Sequence, residues 1–313
     1  MTVERTSNPM AVRIGPLELA NPVMTASGTF GFGLEYADFV DLNRLGAMVT
    51  KATTLQPRLG NSPPRTVETP AGMLNAIGLQ NDGVESFLNE KLPKLAAYSV
   101  PVIVNIAGTS IEDYATLAGM LDVDGVAGIE MNISCPNVGH SGVEFCMEPG
   151  ATERVVAAVR ARTAKCVICK LSPAVTDITV IARAAEQGGA DAVSVINTLA
   201  GMVIDVEKRR PVLANGTGGL SGPAIRPVAV RMCWQVAKSV SIPVIGIGGI
   251  QTSEDALQFL IAGASAVQVG TASFVNPGSS IDVLTGIDAY RVRHGFESIG
   301  EIVGSLTMRE NRR

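Results

Sequence analysis

The sequence predicts an α/β fold, a single (β/α)8 TIM barrel with inserted loops at its C-terminal face. Short β-branched runs alternate with stretches rich in Ala, Leu, Glu and Arg, the rhythm of parallel βαβ units. About eight such units in roughly 250 residues is the size of one barrel. Neither G-x-G-x-x-G nor G-x-x-x-x-G-K-[ST] occurs among the 33 glycines. A doubly wound sheet would usually carry one of these nucleotide-binding motifs.

The elements follow one another as strand and helix along residues 1–313, which we interpret as one domain. The candidate strands are residues 22–26, 47–52, 101–106, 128–133, 166–171, 191–197, 243–248 and 266–270. Helical patterns between them include residues 152–162, 177–187, 226–238 and 253–261. Two connections, residues 53–81 and 198–222, are longer than a plain strand-to-helix loop. Loops of that length in a compact domain tend to be functional.

Composition and charge exclude several function classes. The chain has a net charge of -4 and no basic run, which argues against a nucleic-acid or anionic-membrane surface. Its first twenty residues lack a long apolar stretch, so we expect no signal peptide or membrane anchor and a cytoplasmic protein. Five cysteines in a chain of this size indicate reduced thiols rather than a disulfide framework. We expect no metal site.

Polar residues follow the apolar strands at the end where barrel enzymes place their chemistry. A run of such ends is hard to obtain from packing alone, although any single one could simply begin a loop. The residues at these ends are Ser27, Lys51, Asn105, Asn132 with Cys135, Lys170, Asn197 with Thr198, Gly248 with Gly249, and Gly270 with Thr271.

The last two strand ends differ in kind from the others. IGIGGI (245–250) and VGTA (269–272) offer backbone N–H groups at helix starts, which favour an anion. Loops after strands 7 and 8 are the usual phosphate site of these barrels, although tight turns that need glycine would look the same. A flavin mononucleotide across the barrel mouth fits this pattern. Lys170 would then stabilise the anionic reduced ring.

The Cys166-x-x-Cys169 motif lies within a predicted strand. Positions three apart in a strand point to opposite faces, so we do not expect a redox or metal pair. The same alternation places Cys166, Ile168 and Lys170 on one face, with Lys170 directed into the barrel mouth. Cys233 lies beside Trp234 in a predicted helix and is interpreted as a packing residue.

Six ordered motifs carry a family resemblance. They are NPVMTASGTFGFG (21–33), TKATTLQPRLGN (50–61), MLNAIGLQN (73–81), NISCPN (132–137), INTLAGM (196–202) and GGLSGPAIRP (218–227). Together with the two glycine motifs they resemble the class 1B dihydroorotate dehydrogenases, catalytic subunit. The resemblance extends from about residue 15 to 300.

This resemblance implies an FMN-containing barrel that oxidises dihydroorotate to orotate in pyrimidine biosynthesis. It implies Cys135 as the catalytic base. The residues implied to hold FMN are Ser27, Lys51, Ala52, Asn105, Asn132, Lys170, Ile196, Gly222, Gly248, Gly249, Gly270 and Thr271. Those implied to hold the substrate are Lys51, Asn75, Ala76, Ile77, Gly78, Leu79, Asn132, Asn197 and Thr198.

The resemblance also implies an electron acceptor. A cysteine base and a first strand near residue 22 are unlike the membrane-bound class 2 enzymes. The motifs LNAIGLQN (74–81) and TLAGMVIDV (198–206) resemble those of class 1B. In that class electrons pass to a second subunit, which carries FAD and [2Fe-2S], and then to NAD. A homodimer that joins this subunit in a heterotetramer is implied. The chain itself lacks C-x4-C-x2-C spacing for a cluster.

Four other functions stay open at the level of sequence, one of which is a non-catalytic FMN-binding scaffold. A self-sufficient class 1A dihydroorotate dehydrogenase shares most of the motifs, and a dihydropyrimidine-reducing flavoprotein shares the barrel and the cysteine. A phosphate-binding barrel aldolase that forms a Schiff base on Lys170 is the alternative from a different class. Residues 137–149, NVGHSGVEFCMEP, depart from the family pattern around His140, in a loop that often acts as a lid.

Overall fold

A computed structural model of the chain describes residues 8–133 and 142–308. Eight parallel strands form one sheet in which each strand lies beside its neighbour in the chain. A parallel bridge between Met24 and Ala47 joins the first strand to the second and closes the barrel. The strands are Val23–Thr25, Met48–Val49, Val102–Ile106, Gly128–Asn132, Cys166–Leu171, Ala192–Val195, Val244–Ile247 and Ala266–Val269. The predicted α/β barrel and the order of its strands are therefore confirmed.

Helices cover the outside of this barrel. The longer ones are Ile111–Met120, Pro149–Arg160, Ile178–Gln187, Arg226–Ala237, Ser253–Ala262 and Ser279–Arg293. Shorter ones are Gly83–Ser86, Leu92–Leu95, Gly142–Met147 and Ala272–Val275, with a π-helical segment at Phe87–Lys91 and 3-10 turns at Leu34–Tyr36, Leu42–Arg44, Pro223–Ile225 and Ile299–Glu301.

Local capping explains where two of these helices begin. Pro149 starts its helix three residues before the sequence pattern indicated, because Glu148 accepts the free backbone N–H groups of Gly150 and Ala151. Proline is favoured at such a first position, where its missing N–H costs nothing. Thr252 and Asp255 form a reciprocal capping box at the start of Ser253–Ala262.

The core has two layers, one on each side of the barrel sheet. Cys166 and Ile168 belong to the interior cluster, whereas Cys169 packs in the cluster between strands and helices. The predicted opposite orientation of the two cysteines is thus confirmed. A hairpin of Val12–Ile14 and Leu17–Leu19 adds its apolar side chains to the interior cluster. Cys233 is fully buried in the outer cluster, as a packing residue should be.

The two long connections combine into one structure. Residues 53–81 contribute Thr66–Thr69 and Gly72–Asn75, and residues 198–222 contribute Leu199–Gly201 and Gly218–Ser221. These four strands form an antiparallel sheet in which Gly72–Asn75 pairs with Gly218–Ser221. A small separate core stabilises it, and a further hairpin, Ile204–Asp205 with Arg210–Pro211, extends from it. No helix in the described part of the chain has the length and apolarity to cross a membrane.

Candidate active site

Two adjoining cavities lie where the barrel strands end and the inserted sheet begins. The larger, of about 300 Å³, is called the main cavity here. The smaller, of about 70 Å³, is called the glycine cavity. Both are lined by Ser27, Thr29, Lys170, Asn197, Thr198 and Ser221.

Most of the residues selected from the sequence line one of these cavities. The main cavity adds Lys51, Ala52, Asn75, Ile77, Gly78, Leu79 and Asn132 to the shared residues. The glycine cavity adds Ile196, Gly222, Gly248, Gly249, Gly270 and Thr271. The strand-end argument and the family resemblance together therefore selected residues that the fold brings together from across the chain.

Two of the selected residues lie elsewhere, and others fall outside the described part. Asn105 is fully buried and its amide donates to Glu130, one layer below the cavities. Ala76 is buried, and its backbone N–H donates to the carbonyl of Arg65. Cys135 and His140 lie outside the described residues, so their roles stay predictions.

The glycine cavity is built by a close approach of backbone segments. Gly249 has φ of +72°, and a Cβ atom there would stand 2.7 Å from the carbonyl oxygen of Gly222. Gly222 has φ of +92° and faces Gly72 equally closely. Left-handed backbone without room for a side chain requires glycine at both positions. The result is a concave surface of backbone atoms, suited to an anion.

An ion pair supports this loop from below. Arg226 Nη1 lies 2.6 Å from Asp255 Oδ1, and Asp255 Oδ2 accepts the backbone N–H groups of Gln251 and Thr252. The charge of Arg226 is therefore already paired. Backbone N–H groups, rather than this guanidinium, are therefore the groups of the cavity that are suited to an anion.

Three cations line the main cavity; Lys51 and Lys170 were selected from the sequence, and Arg65 was not. Burial, and then repulsion from Arg65, lowers the pKa of the Lys51 ammonium, against the smaller opposing attraction of Asp82 and Glu35. Arg65 also lines the cavity and donates to Gln80 Oε1. Lys51 and Arg65 in the lining of the same cavity suit a carboxylate ligand. No sequence motif marks Arg65, because it reaches the cavity only through the inserted sheet.

Amide side chains form the polar floor of the main cavity. Asn197 Nδ2 donates to Asn132 Oδ1 at 3.2 Å, and Asn197 Oδ1 accepts the N–H of Thr198 at 2.8 Å. The buried hydroxyl of Tyr114 donates to the Asn132 carbonyl at 2.8 Å, which fixes the end of the fourth barrel strand. Oriented amides of this kind can pair with the ring amides of a heterocyclic ligand.

Lys170 connects the cavities to a buried charge. Its Nζ donates to Ser27 Oγ at 3.0 Å and lies 3.7 Å from Glu130 Oε1. Glu130 was missed in the sequence, because a lone glutamate inside a strand carries no motif. Phe274 lines the main cavity and is half exposed. It was also missed, because no sequence motif marks it.

Buried thiols of the described part do not belong to the site. Burial raises the pKa of Cys166 and of Cys233 to about 12, and that of Cys169 is raised as well. Such thiols stay protonated and inert. In the described part, no group of three or more His, Cys, Asp or Glu side chains is placed to hold a metal ion.

The fold and these cavities define a (β/α)8-barrel enzyme whose site lies at the C-terminal ends of the strands. The family model described as dihydroorotate dehydrogenase matches residues 10–290. The chain belongs to the dihydroorotate dehydrogenase family, which is a family of oxidoreductases.

Curated relatives resemble the chain over nearly its whole length. The "Dihydroorotate dehydrogenase B (NAD(+)), catalytic subunit" of Pelobacter propionicus is 57% identical over 298 residues, which cover 95% of this chain and 98% of the relative. The proteins of the same name from Citrifermentans bemidjiense and Thermoanaerobacter sp. are 55% and 56% identical, over 96% and 95% of this chain and 98% of each relative. The names designate one subunit of a larger assembly.

Proposed function

We propose that the chain is the catalytic subunit of an FMN-dependent dihydroorotate dehydrogenase. It oxidises (S)-dihydroorotate to orotate in pyrimidine biosynthesis, and its electrons reach NAD through a partner subunit. The observation that carries this proposal is the pairing of a cationic, amide-lined cavity with an adjoining glycine cavity. Relatives 54–57% identical to the chain bear the matching name.

The residues present fit FMN. A backbone cradle that a Cβ atom at Gly249 or Gly222 would fill suits the phosphate, because backbone N–H groups favour an anion. The shared wall of the two cavities then suits the ring system, with Ser27 and Lys170 between them. When bound, FMN supplies the hydride acceptor that no amino-acid side chain provides.

The main cavity fits dihydroorotate by its charges and amides. Lys51 and Arg65 would bind the carboxylate, and Asn132 with Asn197 would pair with the ring amides. A site built on such pairing rejects analogues that leave a partner unsatisfied. This favours a carboxylated ring over uracil or thymine.

Proton removal is assigned to Cys135, on the family resemblance alone. The thiolate takes a proton from one ring carbon, while the adjacent carbon gives up its hydride. Since a free thiol titrates near pH 8.5, the base requires nearby cations or an elevated pH. Lys51, Arg65 and Lys170 are the cations that line the main cavity.

The assembly and setting of the enzyme follow from the same proposal. The whole chain, residues 1–313, acts as one cytoplasmic domain that forms a homodimer. Two copies of a subunit with FAD and [2Fe-2S] complete a heterotetramer. The names of the curated relatives, which designate a catalytic subunit, support a separate partner subunit.

The visible spectrum of the purified chain under anaerobic conditions, before and after addition of dihydroorotate, tests the proposal. A yellow protein that bleaches with dihydroorotate, and with neither dihydrouracil nor dihydrothymine, is the expected result. Bleaching by dihydrouracil alone would indicate a dihydropyrimidine-reducing flavoprotein. A colourless protein that borohydride labels at Lys170 in the presence of substrate would indicate an aldolase. Full turnover without any partner subunit would indicate the self-sufficient class 1A enzyme.

A further inference from the structure

A buried carboxylate lies directly below the two cavities. Glu130 is 0% exposed and sits on the inner face of the fourth barrel strand. Its oxygens are surrounded by donors from four other strands. These are Asn105 Nδ2 at 2.8 Å and Lys170 Nζ at 3.7 Å on Oε1, and Ser194 Oγ at 2.9 Å and Gln268 Nε2 at 2.7 Å on Oε2.

Donors on every side fit an ionised carboxylate, which can only accept. Lys170 is the single cation in this set, and it is itself only 4% exposed. Its other polar partner is the neutral hydroxyl of Ser27. Among the described residues, Glu130 is the one carboxylate within ion-pair distance of Lys170.

Lys170 lines both cavities, whereas Glu130 lines neither. Glu130 therefore reaches a bound ligand by contact only through the side chains that it holds. A buried ammonium without a counter-charge is disfavoured against its neutral form. Glu130 thus supplies the charge that keeps Lys170 cationic at the cavity wall. The fixed position of Glu130 also directs the Lys170 ammonium towards the two cavities.

We infer that Glu130 is a positioning residue for the flavin site: it keeps Lys170 charged and directed at the cavities, and so raises the affinity of the bound flavin for electrons. This inference rests on the proposed function. Reduction adds negative charge to a flavin ring, which a fixed neighbouring cation stabilises. The chain sets this property with a residue that touches neither flavin nor substrate.

Glu130→Gln tests the inference, because it keeps the shape and removes the charge. The readout is the equilibrium constant for two-electron reduction of the bound flavin, measured anaerobically against a reference dye. We expect the constant to fall at least ~10-fold, which is about 30 mV for a two-electron couple. Lys170→Met should lower it similarly. Adding Glu130→Gln to Lys170→Met should lower it no further, since the carboxylate acts through the ammonium.

Cys169→Ala is the matched control. Cys169 is the neighbour of Lys170 in the same strand but points to the outer core, so its truncation should leave the constant within twofold of the wild-type value. If Glu130→Gln does not fold, Glu130→Asp replaces it. That variant keeps the negative charge but moves it away from Lys170. It should lower the equilibrium constant for flavin reduction at least ~3-fold. On the Lys170→Met background it should leave this constant unchanged.

Three results would overturn the inference. They are a wild-type constant in the Glu130 variants, a raised constant, or an independent further fall in the double variant. Because the dye equilibrium uses no substrate, a yellow protein indifferent to dihydroorotate would refute the proposed function and leave this test intact. A chain that binds no flavin would refute both.

Discussion

Gly249→Ala probes the glycine cavity at its narrowest point. The substitution adds one carbon at a residue with φ of +72°, 2.7 Å from the Gly222 carbonyl oxygen and 2.8 Å from Arg226 Cβ. Both distances lie well inside ordinary van der Waals contact, and one of the two atoms is backbone. The loop must therefore shift, and the N–H groups that we assign to the phosphate shift with it.

Gly295→Ala is the matched control, because it separates backbone strain from the close approach. Gly295 has φ of +73° and nothing within 4 Å of an added Cβ. Left-handed backbone costs an L-residue roughly 1–2 kcal/mol, so both variants should lose about that much unfolding free energy. Gly249→Ala should lose more. Only Gly249→Ala should also weaken the binding of FMN.

The expected loss of FMN affinity follows from the hydrogen bonds at stake. One hydrogen bond to a charged group contributes about 1.5–3 kcal/mol, which corresponds to roughly a 10- to 150-fold rise in Kd. Quenching of FMN fluorescence by the apoprotein gives the Kd, and urea denaturation gives the stability. An FMN Kd for Gly249→Ala within twofold of that for Gly295→Ala would refute the assignment of the cradle.

Three further variants test other residues to which roles are assigned above. Burial and Arg65 lower the pKa of Lys51, so the Lys51 cation is present below that lowered pKa and lost above it. The KM for dihydroorotate should therefore rise with pH in the wild type. In Lys51→Gln the KM should be high and independent of pH. Cys135→Ser should bind FMN normally and turn over at least ~100-fold more slowly, and retained turnover at neutral pH would reject it as the base. Tyr114→Phe removes the donor to the Asn132 carbonyl and should cost about 1–3 kcal/mol, so an unchanged urea midpoint would contradict that role.

The barrel and most of the strand-end residues that line the two cavities could be predicted because their signals are local. A parallel strand buried on both faces is a short apolar run in the sequence. The residue that follows it lies at the C-terminal face of the barrel, independently of distant parts of the chain. The two-residue period of a strand likewise separated Cys169 from Cys166 and Lys170. The partner of Asn105 could not be predicted in this way, because Asn105 lies within the strand Val102–Ile106 and its buried amide donates to Glu130 from a neighbouring strand.

Residues that act through partners from distant strands were not predictable. Glu130 gains its role from Lys170, Ser194 and Gln268, which lie up to 138 positions away. Alone in a strand it would be an unfavourable buried charge. Arg65 reaches the main cavity because two separate loops pair into one sheet, a long-range pairing that neither loop specifies.

The sequence by itself determined the fold class, the face of the barrel that carries the site and the residue types at its rim. Periodicity, strand ends and glycine positions depend on a few neighbouring residues, so one chain suffices to interpret them. Only the tertiary structure decided which polar groups share a cavity and which charge balances Lys170. Those outcomes depend on distances between strands far apart in sequence, and burial makes them energetically decisive.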